Sequence, residues 1–117
     1  MTTKEIALIA ARALDDKKGL GIKLLEVTDV TTLAEYFLIC TGTSNTHVNT
    51  LCDAVEAAME ACGETLSHRE GHRSGTWVLL DFGALVVHVF TEDTRNFYDL
   101  ERLWNDATPV NVDYLQN

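Results

Sequence analysis

Proline is nearly absent from this sequence. The single one, Pro109, marks the expected end of regular structure. Cysteine is scarce as well. Cys40, Cys52 and Cys62 are odd in number, show no paired spacing and sit in apolar patterns. They read as small buried hydrophobes in a reducing compartment, which argues against a disulfide framework or a zinc site. No apolar stretch reaches the ~18 residues that a membrane span needs. Lys4, Glu5, Arg12 and Asp15 break up the first segment, so no signal-peptide pattern stands there. The expectation is a cytoplasmic protein that does not engage a membrane. Positive charge is the last shortage: 9 Lys and Arg face 18 Asp and Glu, for a net charge of -9. An acidic surface repels phosphate backbones and attracts basic proteins. Direct binding to DNA or RNA is disfavoured, and a basic protein partner is favoured.

What is present is a core. Of 117 residues, 46% are hydrophobic and 23% charged, as in one globular domain of ordinary size. The stretch Thr76–Thr91, TWVLLDFGALVVHVFT, organises the rest. Two apolar runs, Trp77–Phe82 and Leu85–Phe90, meet at Gly83–Ala84, which suits an antiparallel hairpin. Both runs are too apolar for one face to be wet along its whole length. Either helices cover both faces of this sheet, or one face is kept for a partner.

Around the hairpin the pattern is regular. Ile6, Ile9, Ala10, Ala13 and Leu14 form a helical stripe within 3–18, with Thr2 or Thr3 as cap and Gly19 as stop. Segments 21–28 and 35–41 read as strands, the second central to the sheet. Val48, Leu51, Cys52, Val55, Met59 and Cys62 recur at helical spacing, with Ser44 as N-cap and Gly63 as stop. Segment 64–70 reads as a polar edge strand, and SHREGHR (67–73) as a partly basic rim beside the hairpin. Phe97, Leu100, Leu103 and Trp104 share the face of a last helix, with Glu92 and Asp93 near its start. The order is α-β-β-α-β-β-β-α, an α/β domain with a mixed sheet of about five strands flanked by helices. The domain is expected to span residues 1–107, with residues 108–117 as a loose C-terminal tail.

Little here points to chemistry. The turn GTSN (42–45) leads from strand to helix, where a phosphate can sit on a helix N-terminus. It has neither the spacing of GxGxxG nor a P-loop lysine, and plain capping accounts for it. His68 and His72 are four apart, but flanking glycines argue for extended chain. Four extended residues span roughly 13 Å, too far to share one ion. Ser44, His88 and Asp81 are present, yet no pattern brings them together as nucleophile, base and acid. No enzyme activity, cofactor or metal is expected.

The hairpin says more. Trp77, Leu79 and Asp81 alternate onto one side of its first strand; His88 and Phe90 share a side of the second. That mixture is poor material for a dry core and good material for an interface, where aromatic anchors sit among a few polar groups. The bland alternative is that Trp77 merely packs under a helix.

Five motifs in order resemble a known family. They are TGTSN (41–45) with His47–Val48, REG (69–71), WVLLDFG (77–83), VVHVF (86–90) and RNFYDLERLW (95–104). From about Thr3 to Ala107 the chain is similar to the ribosomal silencing factors, also called RsfS or Iojap. The resemblance implies a nucleotidyltransferase-like α/β fold without the acidic metal-binding pair of such enzymes. It implies binding to the large ribosomal subunit through its basic fourteenth protein, a steric block to small-subunit joining, and homodimers when free. It offers Trp77, Leu79, Asp81, His88, Phe90, Arg95 and Tyr98 as partner-binding candidates. One departure stands out: a family-typical acidic residue near the hairpin turn is Ala84 here, which puts any role for that turn in doubt.

Overall fold

The computed structural model describes residues 1–71, 75–98 and 106–112, with the backbone alone for 96–98. The elements are α1 (Thr3–Asp16), β1 (Leu20–Glu26), β2 (Tyr36–Gly42), α2 (Asn45–Ala61), β3 (His68–Glu70), β4 (Trp77–Asp81), β5 (Leu85–Thr91), α3 (Glu92–Tyr98) and β6 (Thr108–Val110). The six strands lie in the order β3-β4-β5-β2-β1-β6. Only β2 and β5 pair in parallel; the other described pairs are antiparallel.

Local chemistry sets the helix ends. Thr2 and Glu5 form a reciprocal capping box at the start of α1. At its end the left-handed position is taken by Lys18, at φ 63°, one residue before the glycine the sequence suggested. The Gly19 and Lys18 N–H groups then donate to the carbonyls of Leu14 and Asp15, at 2.9 Å each. Gly19 is needed for space instead: a Cβ there would lie 2.4 Å from the Cys40 sulfur. Ser44 caps α2 through the His47 N–H, and Gly63 closes it at φ 79°.

Both long helices lie on the same face of the sheet. Ala7, Ala10, Ala11 and Leu14 of α1 and Val48, Leu51, Cys52, Val55 and Met59 of α2 bury against Leu24, Leu38, Val78, Leu80, Val87 and Val89. The buried stripe of α1 is turned toward Ala7 and Ala11; Ile6, Ile9 and Ala13 are only half-buried. Small side chains let the helix approach its neighbours closely, so the alanines take the inner positions. Burial pushes the Cys40 and Cys52 thiols up to about 12, consistent with inert core residues.

Two expectations need correcting. The sheet has a sixth strand, β6, within the stretch expected to be a tail: Thr108, Pro109 and Val110 pair with Glu26, Leu25 and Leu24. A proline fits there because β6 is an edge strand, where a missing N–H on the outer side costs no ladder bond. Residues 113–117 of the expected tail lie outside the described residues, as does the helical face at Leu100, Leu103 and Trp104. The second correction concerns the basic rim. Arg69 pairs with Leu80 across the β3–β4 ladder, so it faces α2, and its guanidinium binds Asp53 and Glu56. The strand register, invisible in the sequence, turns that charge inward. His72 and Arg73 lie outside the described residues.

Candidate partner-binding face

The ladders define the other face of the sheet. Trp77 lies opposite Phe90, Leu79 opposite His88 and Asp81 opposite Val86. In the parallel pair, Val86 meets Phe37, His88 meets Ile39 and Phe90 meets Thr41. Side chains of these residues therefore point away from α1 and α2. The hairpin is closed at Gly83–Ala84, where the Phe82 N–H donates to the Leu85 carbonyl at 2.9 Å, Gly83 sits at φ 87° and Asp81 Oδ1 accepts its N–H at 2.8 Å. Gly71 of REG is there for close approach: a Cβ would fall 1.9 Å from the Trp77 carbonyl oxygen. That glycine lets β3 lie against the start of β4, where Trp77 stands.

This face grades from dry to wet. Leu25, Val27, Ala34, Ile39, Phe90 and Ala107 form a second buried cluster, with Phe37, Trp77 and Val86 packed against it and only half-buried. Leu79 and Asp81 are also half-buried. At the centre stands His88, 8% exposed. Its ring lies edge-on to Phe37, with centroids 5.3 Å apart, and 6.2 Å from the Trp77 ring. Trp77 in turn lies 6.0 Å from Phe90. The Trp77 indole N–H donates to His88 Nδ1 at 3.4 Å. Burial pulls the His88 pKa down to about 4, so the ring is neutral near pH 7 and its Nδ1 is free to accept.

The predicted site residues thus divide. Trp77, Leu79 and Asp81 reach the surface together on one face. Phe90, 1% exposed, supports Trp77 from within. Arg95 is buried and donates from Nη1 to the Gly21 carbonyl at 2.9 Å and to Thr41 Oγ1 at 2.8 Å, which anchors α3 on the sheet. Neither Phe90 nor Arg95 presents a contact surface in this state. Tyr98 ends α3, and its side chain lies outside the described residues. Phe37 and Val86 complete the exposed patch, and the sequence reading did not single them out. Val86 follows from the two-residue alternation that carries His88 and Phe90, whereas Phe37 joins through the parallel β2–β5 register, which short-range patterning does not carry.

The bonds within the GTSN turn speak against a ligand role. It lines a cavity of about 760 Å³ at the carboxyl ends of β2 and β5, with Glu92, Asp93 and Arg95 on the far side. The Thr43 N–H donates to His47 Nδ1 at 2.9 Å, and the His47 N–H to Ser44 Oγ at 3.1 Å. These amides are satisfied within the protein, and the exposed carboxylates of Glu92 and Asp93 oppose an anion. Among the described residues, no group of three or more His, Cys, Asp or Glu side chains could hold a metal. No described helix is long and apolar enough to cross a membrane.

Fold and face together define a class: a small α/β module with one helix-covered sheet face and one aromatic face that is part-exposed. Comparison with known proteins makes this specific. The model of the family described as "Ribosomal silencing factor during starvation", RsfS, matches residues 1–117. The chain is 38% identical over 117 residues to ribosomal silencing factor RsfS of Bacillus subtilis, covering 100% of this chain and 99% of the relative. It is 32% identical to the chloroplastic protein Iojap of Zea mays, covering 92% of this chain and 47% of that protein. A crystal structure of a Chromobacterium violaceum protein superposes with a TM-score of 0.87 at 38% identity, covering 96% of this chain and 93% of the other. The chain belongs to the ribosomal silencing factor family, and its function lies in regulating translation.

Proposed function

We propose that this protein represses translation by binding the large ribosomal subunit through that subunit's basic fourteenth protein, where it blocks joining of the small subunit. It acts as an obstacle, without catalysis or cofactor, in the cytoplasm. The observation that carries this reading is the part-exposed face of Trp77, Leu79, Phe37 and Val86 on a chain of the silencing-factor family. A few anchors near the centre of a patch, tryptophan foremost among them, supply most of the energy in protein interfaces, and the apolar residues around them exclude water. A net charge of -9 favours encounter with a basic protein over encounter with rRNA. When the protein is free, the same face is available for homodimerisation, which subunit binding would then compete against.

The test is sedimentation. The protein is mixed with isolated large subunits, and small subunits are then added. Co-migration with the large subunit and loss of the joined peak support the reading. Co-migration with a full yield of joined ribosomes would remove the steric block. No co-migration would remove the partner.

A further inference from the structure

His88 stands where an apolar residue is expected. Its strand neighbours are Val86, Val87, Val89 and Phe90, and it is 8% exposed. Burying an imidazole in such company is costly unless its polar atoms find partners. The partner here is the indole of Trp77, whose N–H is itself costly to bury unpaired. Phe37 stands edge-on at 5.3 Å, and Phe90 is perpendicular to the ring at a centroid distance of 6.4 Å. Packed this way, His88 has little surface left to offer a partner, while Trp77 remains part-exposed.

We propose that His88 is a positioning residue for Trp77: its neutral ring accepts the indole N–H and fixes the tryptophan in the orientation that docks the ribosomal protein. The inference rests on the docking-face reading above. It assigns His88 a role behind the contact surface, through the ring that makes the contact. A tryptophan without that bond keeps its area and its packing on Phe90 but holds its docking orientation less firmly, and ordering it on binding costs affinity.

The experiment is a double-mutant cycle read by large-subunit affinity, run in full-length protein with Trp104→Phe so that Trp77 alone fluoresces. His88→Phe keeps a ring of similar size and removes the acceptor. It is expected to weaken binding about tenfold, at a cost near 1.4 kcal/mol, and to shift Trp77 emission. His88→Asn, whose side-chain carbonyl falls near the place of Nδ1, is expected to restore most of the affinity. In a Trp77→Phe background, where no indole N–H exists, His88→Phe is expected to change affinity less than twofold. Wild-type affinity in His88→Phe would overturn the proposal, as would an equal loss in the Trp77→Phe background. If His88→Phe fails to fold, His88→Asn decides alone: unchanged Trp77 emission and near-normal affinity support the role, and a tenfold loss at unchanged emission overturns it. If Trp77→Ala binds subunits normally, the docking-face reading itself fails, and the emission shift still reports whether the bond orients the ring.

Discussion

The two faces of the sheet are built from the same strands and end in different states. On one, Leu24, Leu38, Val78, Leu80, Val87 and Val89 are sealed under α1 and α2, with aliphatic side chains meeting alanines and leucines. On the other, Phe37, Trp77, Leu79 and Val86 stay half-open around a histidine and above a small buried cluster. The first face is uniform in chemistry, which suits close packing that needs no orientation. The second mixes rings, a carboxylate and one hydrogen-bonded imidazole, which gives direction. The lesson is that a sealed face and a half-open one are separated across one sheet a single layer thick, by the two-residue alternation of its strands; on the reading proposed above, the first serves stability and the second recognition.

That separation can be broken from either side. The largest effect is expected from the sealed face. Leu38, with no exposed surface, should cost about 2–5 kcal/mol of folding stability on change to alanine, measured by denaturant unfolding. The protein that remains folded should bind large subunits as wild type does. Close behind comes pH. In the unfolded chain His88 takes a proton near the ordinary histidine value of 6.5, while in the folded protein burial makes it resist until about 4. The unfolded state therefore binds more protons in that window, and stability should fall as pH drops from 6.5 to 4, by roughly 3 kcal/mol from this group. His88→Phe should flatten that part of the stability–pH curve.

On the open face the order reverses. Trp77→Ala should weaken subunit binding by about 2 kcal/mol, roughly thirtyfold, and lower stability less than Leu38→Ala does. The smallest effect should come from Asp81. Its carboxylate serves the hairpin turn through the Gly83 N–H, so Asp81→Ala should cost about 0.5–1.5 kcal/mol of stability. Calorimetric melting of these variants beside filter or gradient binding would separate the two columns of effects. If Trp77→Ala and Leu38→Ala lowered stability alike and left binding alike, the division between the faces would not hold.

Much of this division was legible in the sequence. The hairpin announced itself through Gly83 between two apolar runs, and alternation put Trp77, Leu79 and Asp81 on one side. Capping chemistry at Thr2, Ser44 and Gly63 gave the helix limits closely. What was not legible depends on partners distant in the chain. The parallel pairing of β2 with β5 joins Phe37 to the patch across 49 residues of sequence numbering, from Phe37 to Val86. Arg95 was offered as a partner contact, yet it donates to Gly21 and Thr41, 74 and 54 residues away. Pro109 looked like a terminator, and an edge position lets it sit in a strand. Each case is a tertiary contact overriding a sound local signal.

The central claim is that the half-open face, and not the helix-covered one, meets the ribosome. The most direct measurement is a density map of the protein bound to large subunits. The account predicts Trp77, Leu79 and Phe37 seated against the fourteenth protein, with α1 and α2 turned away toward the path of the small subunit. A map with α1 and α2 against the ribosome, or with the aromatic face open to solvent, would contradict it.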